Sequence, residues 1–227
     1  MNEQNFFEDL DARVQKYSLL CHPFYQAWSE GKLTRDDLRV YSAEYYHHVA
    51  AFPTYLSAFH SRLPDSELRR AVLENLCEEE IGVTAHSDLW LDFAVGMGNR
   101  REDVRDREPI EPIAGLIRVF QRIAREDPPA AVVAAFYAYE SQVPEIAKAK
   151  VRGLREWYGA DEASCRYFVL HETADLRHSR VWRDRLCQVL ERSPELMEKA
   201  LETAQEAARA LWTALDGIEE QRKALRN

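Results

Sequence analysis

Apolar residues recur at helical spacing almost from the start of the chain. Phe6, Phe7, Leu10, Val14 and Tyr17 share one face and predict a helix over residues 4–19. A short segment, HPFYQAWSEG, follows and closes at Gly31. Thr34 is a good N-terminal cap, with Asp36 and Asp37 in the first turn behind it. It opens a long helix that ends at Pro64, with a bend expected near Pro53. Asp65 or Ser66 caps the next pattern, which reads as one helix through ELRRAVLENLCEEEIGVTAHSDLWLDFAVGMG. Residues 96–112 form the clearest loop, and a helix follows to about Arg125. REDPP breaks the chain before AAVVAAFYAYESQVPEIAKAKVRGLREWYG, which should kink at Pro144. Asp161 caps the helix containing YFVLHETADLRHSRVW, and Ser193-Pro194 begins the last one. About seven helices and no convincing strand predict an all-α fold, a single helical bundle domain over residues 1–227.

Composition narrows the class. With only 8 Gly and 9 Pro in 227 residues, composition argues against a turn-rich β fold. A net charge of −9 argues against non-specific binding to nucleic acid or to anionic membranes, so neither is expected as a partner. Cys21, Cys77, Cys165 and Cys187 form no CxxC pair and read as reduced thiols. The first residues carry no basic and apolar leader pattern, and no apolar run approaches the ~18 residues of a membrane span; a cytoplasmic protein is expected.

Three places carry unusual chemistry. In the segment from Tyr167 to Trp182, His171, Asp175 and His178 project from one helix stripe, at about 100° per residue, beside the apolar Phe168, Ala174, Val181 and Trp182. In LCEEEIGVTAHSDLW, Glu79 lies seven residues before His86 and shares its helix face, whereas Glu78 and Glu80 point elsewhere. In VVAAFYAYESQVPEIA, Glu140 ends an uncharged stretch, where a carboxylate is seldom found without a partner. Each place alone has a plain reading: a solvated face for the first two, a buried Glu–Arg pair for the third. Together they supply three carboxylates and three imidazoles. Inward-facing Glu and His on facing helices hold pairs of iron or manganese ions in bundle proteins. The paired Glu-x-x-His of ferritin-like bundles is not present, and no cysteine shares these faces to suggest structural zinc.

HPFYQAW, ENLCEEEIG, AYESQVPEIAKAK and YFVLHETADLRH together make the chain resemble the haem-oxygenase-like di-metal oxidases, seven-helix bundles of the TenA/PqqC type. Within that group the resemblance is to the para-aminobenzoate synthase family of the chlamydial protein associating with death domains, and it covers nearly the whole chain. It implies a dinuclear cofactor, two irons or an iron–manganese pair, held by Glu79, His86, Glu140, His171, Asp175 and His178. It also implies O2 as co-substrate, an electron donor of unknown identity and a para-aminobenzoate product used for folate. The family makes that product from one of its own tyrosines, with a lysine giving the nitrogen. Carried onto this chain, the tyrosine is Tyr25 and the lysine Lys150, with Tyr41 as a second redox-active tyrosine. Tyr167, on the face of His171, is a further candidate for carrying oxidising equivalents.

Four rival readings stand beside this one. They are a multiple-turnover oxidase of an external amino acid or fatty acid, a metal-free hydrolase using Cys77 and a glutamate, an interaction module, and a haem protein ligated by His22. A homodimer is compatible with the apolar-rich helices.

Overall fold

The computed structural model describes residues 3–224, and no strand occurs among them. In chain order the elements are α1 (Glu3–Gln15), a 3-10 turn (Leu19–Cys21), α2 (Pro23–Ser29), α3 (Arg35–Arg62), α4 (Glu67–Ile81), α5 (His86–Gly96) and α6 (Arg101–Asp106). They continue with α7 (Glu111–Glu126), α8 (Pro129–Glu140), α9 (Val143–Glu156), α10 (Glu162–Arg192), a second 3-10 turn (Pro194–Leu196) and α11 (Met197–Ala224). The all-α expectation holds. The count of about seven does not: nine of these helices have eleven or more residues, because two expected long helices are each broken in two.

Caps set most boundaries where the sequence puts them. The Thr34 hydroxyl accepts from Asp37 N–H (3.1 Å) while the Asp37 carboxylate accepts from Thr34 N–H (2.7 Å), a reciprocal capping box. Ser66, rather than Asp65, caps α4, and Asp161 caps α10. α3 runs uninterrupted through Pro53. The N-terminal helix stops at Gln15, so Tyr17 falls in the turn beyond it, and the expected loop at 96–112 contains the short α6.

The two breaks matter for function. Gly82 ends α4, and the β-branched Val83 and Thr84 that follow are weak helix formers, so the chain turns before His86 restarts it. Pro144 has no N–H for the Glu140 carbonyl, and its ring would crowd that carbonyl; α8 therefore ends at Glu140 instead of bending through it. Every residue of α8 from Ala130 to Glu140 is buried, as befits a helix apolar on all sides. It runs through the middle of the bundle, packed on α10 and α11, with α5 and α9 also against α10 and α3 against α7. No helix among the described residues is long and apolar enough to cross a membrane.

Candidate metal centre and an aromatic lysine pocket

All six expected ligands are buried, and they fall into two triads: Glu79, His86 and His171, and Glu140, Asp175 and His178. Within each triad the donor atoms lie within 4.8 Å of one another. α10 works as a ruler. At 1.5 Å per residue, His171 and His178 sit about 10 Å apart along its axis, which assigns them to different triads.

Glu79 and His86 meet for a different reason from the shared helix face. On a continuous helix seven residues would also separate them by about 10 Å. The turn between α4 and α5 removes that separation, leaving Glu79 Oε2 3.0 Å from His86 Nδ1. The pairing is as expected; the helical rotation argument for it is not. Glu78, which the helix pattern turns away from His86, reaches the other triad: its Oε2 lies 2.9 Å from His178 Nε2 and also accepts from Arg177.

The histidine rings are held from behind. The His171 Nδ1–H donates to the Tyr167 carbonyl (2.6 Å), which leaves its Nε2 lone pair for the cluster. His86 and His171 cross edge to face, with centroids 4.7 Å apart. His178 Nδ1 lies 3.2 Å from Asp175 Oδ1 and 3.8 Å from Glu140 Oε1. Glu140 accepts from the Asn75 side-chain amide (3.0 Å) and from the Trp182 indole. Asn75 was legible in principle, being one helical turn before Glu79.

Charge on this cluster is unbalanced by protein alone. Burial pushes the Glu140 carboxyl up to about 8, against the opposing pull of His178. Burial disfavours the His178 cation, yet Asp175 and Glu140 outweigh it and raise the imidazole to about 9. Burial lowers His171, with Asp175 working the other way. Two buried polar atoms, His86 Nδ1 and Asp175 Oδ2, make no directed hydrogen bond. Buried donors without partners, facing other carboxylates and imidazoles, fit divalent cations, which would replace the protons held there. Imidazole and carboxylate suit iron and manganese alike.

The cavity against these side chains is small, about 10 Å³, and is walled by Val49, Phe52 and Tyr139 besides four of the six.

Tyr25, Tyr41 and Lys150, from α2, α3 and α9, form a second buried cluster. Their polar atoms close a triangle: the two phenol oxygens are 2.9 Å apart, and Lys150 Nζ donates to Tyr25 (2.9 Å) and Tyr41 (2.5 Å). The amine sits over the rings of Tyr25 (4.4 Å) and Tyr41 (4.8 Å), with Phe168 at 5.1 Å. No carboxylate balances it, and burial alone holds the amine well below its usual range. Burial likewise raises both phenols. Gly153 makes this closeness possible: a Cβ there would stand 2.7 Å from the Trp28 indole, which donates to the Lys150 carbonyl.

Aromatic rings connect the clusters. Tyr167 stacks on His171 at 4.1 Å and meets Trp90 at 4.9 Å; Trp90 meets Tyr45 at 5.5 Å, and Tyr45 stacks on Tyr41 at 5.5 Å. Tyr139 is within hydrogen-bonding reach of both Tyr45 and Tyr167. Tyr45 and Trp90 carry no motif that would have singled them out.

His22 belongs to neither cluster. Its Nδ1 accepts from Phe24 N–H (3.1 Å) and caps α2, while Nε2 faces Asp216 (3.1 Å). Both nitrogens are thus engaged within the protein, which leaves none for haem. Cys77 is partly buried on α4.

Residues 39–212 match the family described as iron-containing redox enzymes. The chain is 42% identical to the 4-aminobenzoate synthase of Chlamydia muridarum over 94% of its own length and 90% of that protein's. Among solved structures, it superposes with a TM-score of 0.84 on a haem-oxygenase-like domain of unknown function from Shewanella denitrificans (17% identity; 100% of this chain, 96% of that one). It also superposes with a TM-score of 0.79 on a TenA homologue from Pseudomonas syringae (18% identity; 96% and 92%). At these identities the structures establish the haem-oxygenase-like fold.

Proposed function

The chain belongs to the haem-oxygenase-like family of iron-containing redox enzymes, and on that premise we propose that it makes para-aminobenzoate from its own Tyr25, with Lys150 as the source of nitrogen. The observation that carries this reading is the contact between a buried amine, whose charged form burial disfavours, and a phenol oxygen, 2.9 Å apart inside a shell of rings. Para-aminobenzoate has its nitrogen and its carboxyl carbon para on one ring. Tyrosine has its oxygen and its Cβ in the same relation. Lys150 Nζ stands at the oxygen end, where the nitrogen must enter. A neutral lysine has a free electron pair for that C–N bond; an ammonium does not. As it forms, the phenol C–O bond would break and the oxygen leave as water; release of the product would break Lys150 Cε–Nζ and Tyr25 Cα–Cβ, with Cβ oxidised to the carboxyl at the expense of O2.

Glu79, His86, Glu140, His171, Asp175 and His178 would hold two metal ions, either two irons or iron with manganese. When bound, these would supply the oxidising power, drawn from O2 and an external reductant. Tyr167 would pass electrons from the aromatic pocket toward His171, with Trp90, Tyr45, Tyr139 and Tyr41 completing the route. The Tyr41 hydroxyl, bonded to both Tyr25 and Lys150, would take up and return the phenolic proton. Burial excludes water from the ring during reaction.

An external substrate on the same scaffold needs room beside the metal ligands, and about 10 Å³ accommodates no fatty acid or amino acid. That observation favours the internal substrate. The test is to load the protein with iron and manganese, add reductant under air, and assay para-aminobenzoate with no precursor supplied. Protein grown on ¹⁵N-lysine should give ¹⁵N-labelled product, no more than a single molecule per chain. Tyr25→Phe should bind metal normally and give none. Product that persists in Tyr25→Phe would sink the self-consuming reading.

A further inference from the structure

Glu78 and Glu80 flank Glu79 in the acidic run, and Glu78 makes a contact of its own with the candidate centre. It precedes Glu79 on α4, yet it reaches the opposite triad on α10. Its Oε2 lies 2.9 Å from His178 Nε2, and the Arg177 guanidinium donates to the same oxygen. The other ring nitrogen, Nδ1, turns inward toward Asp175 and Glu140. Both ring nitrogens face a carboxylate, Nδ1 that of Asp175 (3.2 Å) and Nε2 the nearer one of Glu78, with the Arg177 guanidinium also 3.3 Å from Nε2. A cation held with Asp175 and Glu140 would take the Nδ1 lone pair, which leaves the proton of the neutral ring on Nε2 to donate to Glu78. Buried metal-binding imidazoles are oriented and made more basic in this way by a carboxylate behind them. His171 differs: a neutral carbonyl, that of Tyr167, stands behind it at 2.6 Å. Adjacent glutamates on one helix thus serve both triads, Glu79 as a direct member of one and Glu78 from behind the other.

We propose that Glu78 is the positioning residue of the Glu140–Asp175–His178 site, presenting His178 Nδ1 to the cation and making that site electronically unlike its neighbour. The proposal rests on the two-cation reading of the cluster, but not on para-aminobenzoate formation. Its test uses Mn2+ alone, titrated into metal-free protein without O2 or reductant and followed calorimetrically and by electron paramagnetic resonance.

Wild type should take up two equivalents. Glu78→Ala should weaken one of them by about 10- to 100-fold and leave the other unchanged. In a His171→Ala background the surviving site should still respond to Glu78→Ala; in a His178→Ala background it should not. Glu78→Gln, which keeps an acceptor for the Nε2 proton, should recover part of the loss. Equal weakening of both equivalents would mean that Glu78 merely anchors the end of α4, and would overturn the proposal. So would unchanged binding, a response that survives His178→Ala, or no recovery in Glu78→Gln. Wild-type uptake of fewer than two equivalents would overturn both this proposal and the two-cation reading.

Discussion

The carboxylate–imidazole cluster and the Tyr25–Tyr41–Lys150 triangle are both sealed in the bundle, and they handle buried ionisable groups in opposite ways. The first gathers opposite charges: Asp175 and Glu140 hold His178 protonated, and protons occupy the positions that cations would take. The second holds a single amine that pairs with no carboxylate among the described residues, and there burial lowers the amine well below its usual range. On the proposed function, one arrangement would be filled by something positive and the other would keep a nucleophile uncharged. Two demands that would interfere at one place, a high charge density and a neutral amine, are met at separate places joined by rings.

The sharpest way to break this division is to remove a ligand. His171→Ala should lose the metal held by its triad, with elemental analysis falling from about two metals per chain and product formation abolished. The Lys150 pocket should stay intact, read as an unchanged near-ultraviolet aromatic spectrum. A simultaneous collapse of that spectrum would show that the clusters are not separable.

Gly153→Ala attacks the other side. The added methyl meets the Trp28 indole and drives α2 from α9, which should destabilise the fold by about 2 kcal/mol in chemical denaturation. It should lower product yield while leaving metal content unchanged. Retained yield would show that the separation of Tyr25 from Lys150 is not critical.

Lys150→Met should eliminate product yet raise stability at neutral pH by about 1.5 kcal/mol, because it removes a desolvated amine. The unfolded chain protonates this lysine up to about 10.5, whereas burial makes the folded chain release the proton at lower pH, so in that window the unfolded state binds the extra proton. Wild-type stability therefore rises with pH toward 10.5, and the advantage of Lys150→Met should shrink as pH is raised from 7 to 10. An advantage independent of pH would mean that the folded amine is charged.

The smallest effect lies between the two regions. His48 is fully buried against Tyr45, Tyr55 and Tyr139, neither ring nitrogen has a partner, and burial lowers it to about 3. Between pH 6.5 and 3 the unfolded chain binds a proton that the folded chain does not, so stability falls as pH drops below 6.5. The loss is about 1.4 kcal/mol at pH 5.5. His48→Leu should remove that increment from the pH dependence of unfolding; an unaltered slope would assign it to other groups.

The all-helical class and the ligand types were legible in the sequence because periodicity, caps and an isolated carboxylate are local signals. Glu140 was visible as a lone acid in an apolar run, and Pro144 turns out to be why α8 stops there. The pairing of Glu79 with His86 came from a helix that does not exist: Gly82 and the β-branched pair behind it marked the break, but the flanking pattern was strong enough to hide it. The same continuous helix turns Glu78 away from the His86 face and gives no sign of its contact with His178. The triangle of Tyr25, Tyr41 and Lys150 was invisible to spacing, since its members come from three helices up to 125 residues apart. Only resemblance to a family singled them out. Tyr45, Trp90 and His48 look like ordinary core residues, and nothing local distinguishes a ring that fills space from one that links two sites.

The ring of Tyr25 is also a structural member. It packs against Phe24, Trp28 and Tyr41 at centroid distances of 6.1, 6.5 and 6.2 Å. On the proposed chemistry each chain that reacts excavates its own core, a loss comparable with truncating a buried aromatic side chain, about 3–5 kcal/mol. Against the 5–15 kcal/mol that ordinarily holds a domain together, such a protein moves close to unfolding and into reach of the proteases that survey unstable chains. Fresh and spent molecules would then differ in lifetime without any separate tag: the reaction would set its own clock for clearance. Equal melting temperatures before and after reaction would rule this out.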